Sequence, residues 1–287
     1  MNLQSLQTQL TTNKWMMEKS QLLSLYDSVQ NLKKMGTTKF SYDDKYVLDE
    51  SDVVQDDIGS SDDGNVCIIG VTGVLVKGSS LEEEVVLNLT NIDEISYALD
   101  QAANDPSVEC IFLCFASPGG ETTGIIELGR KIRYIDENIK PIFAWTEKQM
   151  ASAAVWLGSQ CRAIGMTESA QIGSCGVYMI VIDASKKYEM EGINIQTISS
   201  GHYKTMGHDD KPLTPEEKDI LVKDVTDQHE KFKSVIREKR PSIKDEAMEG
   251  LSYEGPAALE NGWTDYICDD LEEYIRYCLE YNKSNGN

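Results

Sequence analysis

Val108-Glu109-Cys110-Ile111-Phe112-Leu113-Cys114-Phe115 is an almost unbroken apolar run, and after Ala116 the chain reads Ser117-Pro118-Gly119-Gly120. One charge in eight residues is the pattern of a strand buried on both faces. The glycine pair behind it lets the backbone turn tightly and aim N–H groups into a cleft. The same strand-then-helix scheme repeats on either side. Upstream, residues 66–76 read as a strand. Asn91 with Glu94 three residues later marks a helix start, and Ile92, Ile95, Leu99 and Ala102 follow at helical spacing. Downstream, the pattern predicts a helix over about 122–135, a buried strand over 141–145, a short helix over 152–158 and a strand near 162–165. Further strands are expected at 176–182 and 193–198, with a helix over 184–191 between them. Thr214-Pro215-Glu216-Glu217 combines a cap, a first-turn proline and a capping box, and opens a helix running to about residue 239, before Pro241. Repeated βα units of this length predict an α/β fold with a mostly parallel sheet and right-handed crossovers.

Composition narrows the function. The 287 residues carry 48 acidic and 27 basic side chains, a formal net charge of -21. Phosphate binding needs clustered Lys and Arg, so nucleic acid is not an expected partner, and neither is an anionic membrane surface. Acidic residues crowd 41–64, where Asp43, Asp44, Asp49, Glu50, Asp52, Asp56, Asp57, Asp62 and Asp63 face only Lys45. That segment reads as a solvated linker or a mobile flap, ending at Gly64. Before it, Trp15, Met16, Leu22, Leu23, Leu25, Tyr26, Val29 and Leu32 form a plausible helical stripe. The expected organisation is therefore a helical extension over 1–40, an acidic linker over 41–64 and one large domain over 65–287. No apolar stretch reaches the roughly 18 residues of a membrane span, and the first twenty residues lack the apolar run of a signal peptide. A cytoplasmic chain is expected. The seven cysteines include no Cys-x-x-Cys pair and read as reduced core thiols. Three histidines without ligand spacing give no expectation of a metal or other cofactor.

Four short segments could carry chemistry. Ser117-Pro118-Gly119-Gly120 can offer backbone N–H groups to an oxyanion, although an ordinary strand-to-helix turn looks similar. Met150-Ala151-Ser152-Ala153-Ala154 puts a serine at a helix start, where it is either a cap or a nucleophile whose alkoxide the helix end favours. Gly201-His202-Tyr203-Lys204-Thr205-Met206-Gly207 holds a lysine that is a surface residue unless burial lets it lose its proton and act as base. Ile172-Gly173-Ser174-Cys175-Gly176 is a glycine-flanked serine in a turn.

In order and context these four segments resemble the serine peptidase family of signal peptide peptidase A, and its phage-type capsid-maturation members most of all. The resemblance runs from about residue 66 to 267. It includes Pro212-Leu213-Thr214-Pro215-Glu216-Glu217, Gly262-Trp263-Thr264-Asp265 and, for the phage-type members, Trp15. It implies a Clp-protease/crotonase-like fold of repeated ββα/βα units. It also implies Ser152 as nucleophile, Lys204 as general base and Ser174 as the hydroxyl orienting that lysine. The oxyanion donors it implies are Gly119, Gly120 and Ala153. The substrate would be a polypeptide lying extended between the Gly120 segment and residues 173–176, as an added strand. Homo-oligomerisation, with sites sometimes shared between subunits, and capsid or scaffold proteins as partners follow from the same resemblance. The chain departs from the family pattern at Arg162, where Asp is usual, at Ala153-Ala154 in place of Gly-Gly, and at Cys175.

Rival readings remain. An acyl-CoA hydratase or isomerase of the crotonase type would share the oxyanion glycines but has no use for a Ser152/Lys204 pair. A catalytically inactive scaffold or assembly protein would suit the acidic segment. His202, His208 and His229 are the alternative bases, with His202 first because it would share a strand face with Lys204.

Overall fold

The long apolar run becomes a ten-residue strand at the centre of the molecule. In the computed structural model described here, residues 14–17, 65–79, 84 and 87–285 are described. The expected acidic linker over 41–64, and the expected helix over 1–40 apart from residues 14–17, lie outside the described residues. The strands are β1 (Trp15–Met17), β2 (Asn65–Thr72), β3 (Val74–Val76), β4 (Leu89–Asn91), β5 (Val108–Ser117), β6 (Gly119–Glu121), β7 (Ile142–Ala151), β8 (Ala163–Met166), β9 (Gln171–Gly173), β10 (Ser252–Glu254) and β11 (Tyr266–Ile267). The helices are α1 (Ile92–Asn104), α2 (Ile125–Asn138), α3 (Ala153–Ser159), α4 (Ser185–Met190), α5 (Pro215–Lys239), α6 (Gly255–Glu260) and α7 (Leu271–Asn285).

Two sheets form. The seven-stranded one runs β10-β9-β7-β5-β2, with β8 on the first part of β7 and β11 on β8. All its pairings are parallel except β9 with β10. The four-stranded one runs β1-β6-β3-β4. The fold is thus α/β with mostly parallel pairing, as the sequence pattern predicts. β5 is buried on both faces because its residues alternate between two apolar clusters. Ile111, Leu113 and Phe115 pack with Ile95 and Leu99 of α1, Leu128 and Ile132 of α2, and Trp156 of α3. Cys110 and Phe112 pack with Phe143 and Trp145 of β7 and with Tyr274, Ile275 and Cys278 of α7. The Tyr274 ring stacks on Trp145 at 5.5 Å and meets Phe112 edge-on at 5.9 Å. Each such side chain taken out of water contributes about 1.5–3 kcal/mol. All seven cysteines are free thiols.

Several boundaries differ from the sequence expectations. The single strand expected at 66–76 is two, because Gly73 takes a left-handed turn (φ +72) that passes the chain from one sheet to the other. Trp15 and Met16 lie in a strand, not a helical stripe, since pairing with β6 overrides the local pattern. Residues 176–182 and 193–198 form no strands; the ladder contact of the first is one bridge, Tyr178 to Trp15. Ile193, Ile195 and Ile198 have the apolar content of a strand but no sheet beside them, and Ile198 is 98% exposed.

Two features of helix and sheet packing can be tested. A Cβ at Gly165 of β8 would meet the buried Tyr274 ring at 2.5 Å. Gly165→Ala is therefore expected to cost on the order of 1–3 kcal/mol, read as a lower urea midpoint at unchanged slope. At the start of α5, Glu217 accepts the Thr214 N–H at 2.9 Å and pairs with Lys211 at 3.2 Å. The backbone hydrogen bond first, and Lys211 after it, hold its carboxyl below the ordinary Glu value. A depressed carboxylate stabilises the fold above its unfolded pKa and loses that contribution as pH falls through the folded value. The stability gap between wild type and Glu217→Gln should accordingly be full near neutrality and close on acidification below about pH 4.3, measured by thermal unfolding at several pH values.

Candidate active site

The end of β7 is shaped to present Ser152. Along β7, residues 143–146 pair with β8, while residues 149–151 pair with β9. Its register against β5 slips in between: Phe115 faces Thr146, but Ser117 faces Met150. Such irregularities re-aim a strand end. Ser152 then sits at φ 54, ψ -115, outside the ordinary regions for a residue with a Cβ. Its N–H donates to Gly173 O at 2.8 Å, and its carbonyl accepts from Trp156 N at 2.9 Å to start α3. The hydroxyl makes no capping bond. It points instead to the Gly176 carbonyl, 3.4 Å away. Of the two sequence readings for this serine, cap or nucleophile, the geometry removes the cap.

The Ser117-Pro118-Gly119-Gly120 turn comes to the same place. A Cβ on Gly119 would lie 2.9 Å from Ala153 N and 2.9 Å from Ala151 O, so the two turns touch backbone to backbone. Gly119 has φ +98, and Gly120 packs so closely on Leu75 that no side chain fits there either. Ser117, which carries no role in the sequence reading, braces the turn. Its buried hydroxyl donates to Gly73 O at 2.6 Å and accepts the Gly119 N–H at 3.2 Å. The Gly119 N–H is thereby occupied. The signal in the sequence was the serine itself, a hydroxyl at the end of an otherwise apolar strand.

Ser174 also comes close. It follows Gly173, the β9 residue that pairs with Ala151, and its own N–H donates to Leu251 O at 2.7 Å. Its φ is 54, and its hydroxyl makes no hydrogen bond among the described residues. Lys204 is not brought in. It lies in a series of turns over 201–207, exposed, its N–H bonded to Gly201 O. Its ammonium makes no hydrogen bond or ion pair among the described residues, Ser152 and Ser174 included. Of the histidines, His202 is exposed beside Glu216 at 3.8 Å, and His229 bonds the Met248 carbonyl at 2.8 Å. Arg162, the departure from the expected Asp, ion-pairs with buried Asp136 at 3.3 Å, with Lys239 on the same carboxylate at 2.9 Å. Cys175 is buried, and burial pushes its thiol up to about 12.

Comparison with known proteins gives the chemistry a class. A Methanocaldococcus jannaschii protein named as a putative protease is 28% identical over 202 residues, 64% of this chain and 65% of its own length. The head-tail preconnector protein of Enterobacteria phage P21 is 27% identical over 77% of this chain and 44% of itself. Capsid assembly protease C of Escherichia phage lambda is 26% identical over 76% and 50%. The chain thus spans about half to two thirds of the length of these curated relatives. The model of peptidase family S49 matches residues 135–273, a span that takes in Ser152, Ser174 and Lys204; the α/β architecture is the Clp-protease-like fold expected from the resemblance. No helix among the described residues is long and apolar enough to cross a membrane.

The contact at Gly119 makes a direct test. Gly119→Ala would force its backbone away from Ala153 N, and loss of an oxyanion donor costs about 100- to 1,000-fold in turnover. Cleavage of an unfolded protein should fall by that factor, with the far-ultraviolet dichroism of the chain retained.

Proposed function

We propose that the chain is an endopeptidase with a Ser152–Lys204 dyad, acting on extended polypeptide segments, and that the dyad closes when a second copy, or movement of the 176–213 arm, carries Lys204 to Ser152. The observation that carries the reading is Ser152 itself. It is a buried serine in a strained conformation, its hydroxyl not spent on capping, with the Gly119 backbone against the Ala153 amide that follows it. In the proposed reaction the Lys204 amine takes the hydroxyl proton as Ser152 Oγ attacks the peptide carbonyl, and the Gly120 and Ala153 N–H groups hold the oxyanion. Collapse expels the amine, protonated by Lys204, and leaves a Ser152 ester. Water, deprotonated by Lys204, then releases the acid and restores the serine. Ser174 orients the lysine.

A lysine serves as base only where it is taken out of water, and the single chain leaves Lys204 exposed. The same arm exposes Met190 and Ile198, apolar surface of the kind that marks a contact. Both support assembly into a homo-oligomer in which the arm is covered. The phage relatives, one of them a capsid assembly protease, support a role in phage or prophage capsid maturation, with capsid or scaffold proteins as substrates and the host cytoplasm as the setting. An inactive scaffold would be separated from this reading by its failure to react with a fluorophosphonate.

Ser152→Ala and Lys204→Arg are each expected to abolish cleavage with the fold intact; arginine keeps the charge but, with a pKa above about 12, cannot act as base. If the dyad forms between copies, mixing the two inactive variants should restore part of the activity, since one mixed interface holds both intact residues. Wild-type cleavage by Lys204→Arg would overturn the dyad, and His202 would become the residue to replace.

A further inference from the structure

The two walls between which a substrate strand is proposed to lie are already joined by a strand. β1 runs antiparallel to β6, with Trp15 facing Glu121, Met16 facing Gly120 and Met17 facing Gly119. On its other side, Trp15 N donates to Tyr178 O at 2.9 Å and Tyr178 N donates to Trp15 O at 3.1 Å, two residues beyond the Gly176 carbonyl that receives the Ser152 hydroxyl. A Cβ on Gly119 would overlap the Met16 carbonyl oxygen and would also lie 2.9 Å from Ala153 N. The Met16 carbonyl is therefore held beside the amide proposed as an oxyanion donor. We infer that Trp15–Met17 is the chain's own occupant of the substrate position, an internal peptide that an incoming polypeptide must displace.

The inference rests on the Ser152 reading above and adds the regulation and side-chain preference of the same groove. The side chains of β1 alternate as those of an extended substrate would. Met16 enters the main core cluster, while Trp15 and Met17 turn to the opposite side, among Val74, Val76, Leu87 and Leu89. All three are buried. The groove thus accepts large apolar residues at consecutive positions, and substrates are expected to present the same. Among the described residues β1 is three residues long, and its start is tied by Lys14, whose carbonyl accepts the Thr122 N–H at 3.2 Å and whose ammonium pairs with Asp224 at 2.6 Å. The Trp15 indole N–H is buried without a hydrogen-bond partner among the described residues, so the fit is imperfect in the way a replaceable ligand allows. With β1 removed, β6 becomes an edge strand whose glycine backbone is open to pairing, the usual requirement for strand addition.

The experiment uses the full chain and a synthetic, isotope-labelled peptide of the sequence Thr12–Lys19. In the first arm, hydrogen exchange is followed on Ser152→Ala, which cannot turn the peptide over. Saturating peptide is expected to speed exchange at Trp15–Met17 at least tenfold while Gly119–Glu121 stays protected. Unchanged protection of Trp15–Met17 would overturn the inference, whatever the reactivity of Ser152. In the second arm, Met16→Asp, which puts a carboxylate into the apolar core, is expected to react with a fluorophosphonate at least tenfold faster than wild type. The peptide should slow it again, and the peptide carrying the same Met16→Asp change should not. Equal, measurable rates in the two chains would also overturn the inference. If neither chain reacts but the exchange result stands, the Ser152 assignment falls and the internal occupant remains. The exchange arm needs no change at Met16, so a poorly folded variant does not blunt the test.

Discussion

Gly119 sits where three backbone segments converge, and no side chain fits there. The Met16 carbonyl, the Ala151 carbonyl and the Ala153 amide crowd the space that a side chain there would need. This approach is also where the two sheets meet, since Gly119 begins β6 of the four-stranded sheet and Ala151 ends β7 of the seven-stranded one. The site is in that sense a seam, and its dimensions are set by the absence of one methyl group. Ser117 fixes the seam from beneath by holding the Gly73 carbonyl and the Gly119 amide together. Both groups are buried, so losing the hydroxyl would leave them unpaired at about 1–3 kcal/mol.

Much of the fold could be read from the sequence because burial on two faces leaves a plain mark. The 108–115 run, the strand near 142 and the capped start at Thr214 all came out as expected. The failures have physical causes. Residues 193–198 look like a strand by composition, but composition does not tell whether a partner edge exists. Trp15 and Met16 fit a helical stripe by spacing, and only the distant glycine strand at 119–121 makes them extended. At the site, the sequence singled out Ser152, Ser174 and the glycine pair, and the fold gathers them. It offered no sign that the Gly119 amide would be engaged by Ser117, because that bond depends on a turn geometry invisible in residue type. Nor could spacing say that Lys204 would stand apart in a single chain.

The separation of Lys204 and the exposure of the arm are two aspects of one segment. Beyond the Tyr178 bridge to β1, residues 184–213 fold back on themselves through Ala184 N to Asp209 O and Thr197 to Asp210. Any contact that covered the exposed isoleucines would change the surroundings of the lysine too. A surface this acidic does not self-associate without specific complementarity, so such a contact would rely on the apolar arm.

Ser152 holds a backbone conformation that glycine adopts freely and serine does not, a cost of order 1–3 kcal/mol. Ser174, across the β7–β9 pairing, has the same φ of 54. Two neighbouring positions therefore keep hydroxyl side chains where backbone preference alone would select against them. From the standpoint of protein engineering, this marks the turn pair as a place where thermostability and reactivity pull in opposite directions. On the roles proposed for Ser152 and Ser174, a sequence optimised only for robustness would drift toward glycine at both positions and arrive at a sturdier, inert molecule.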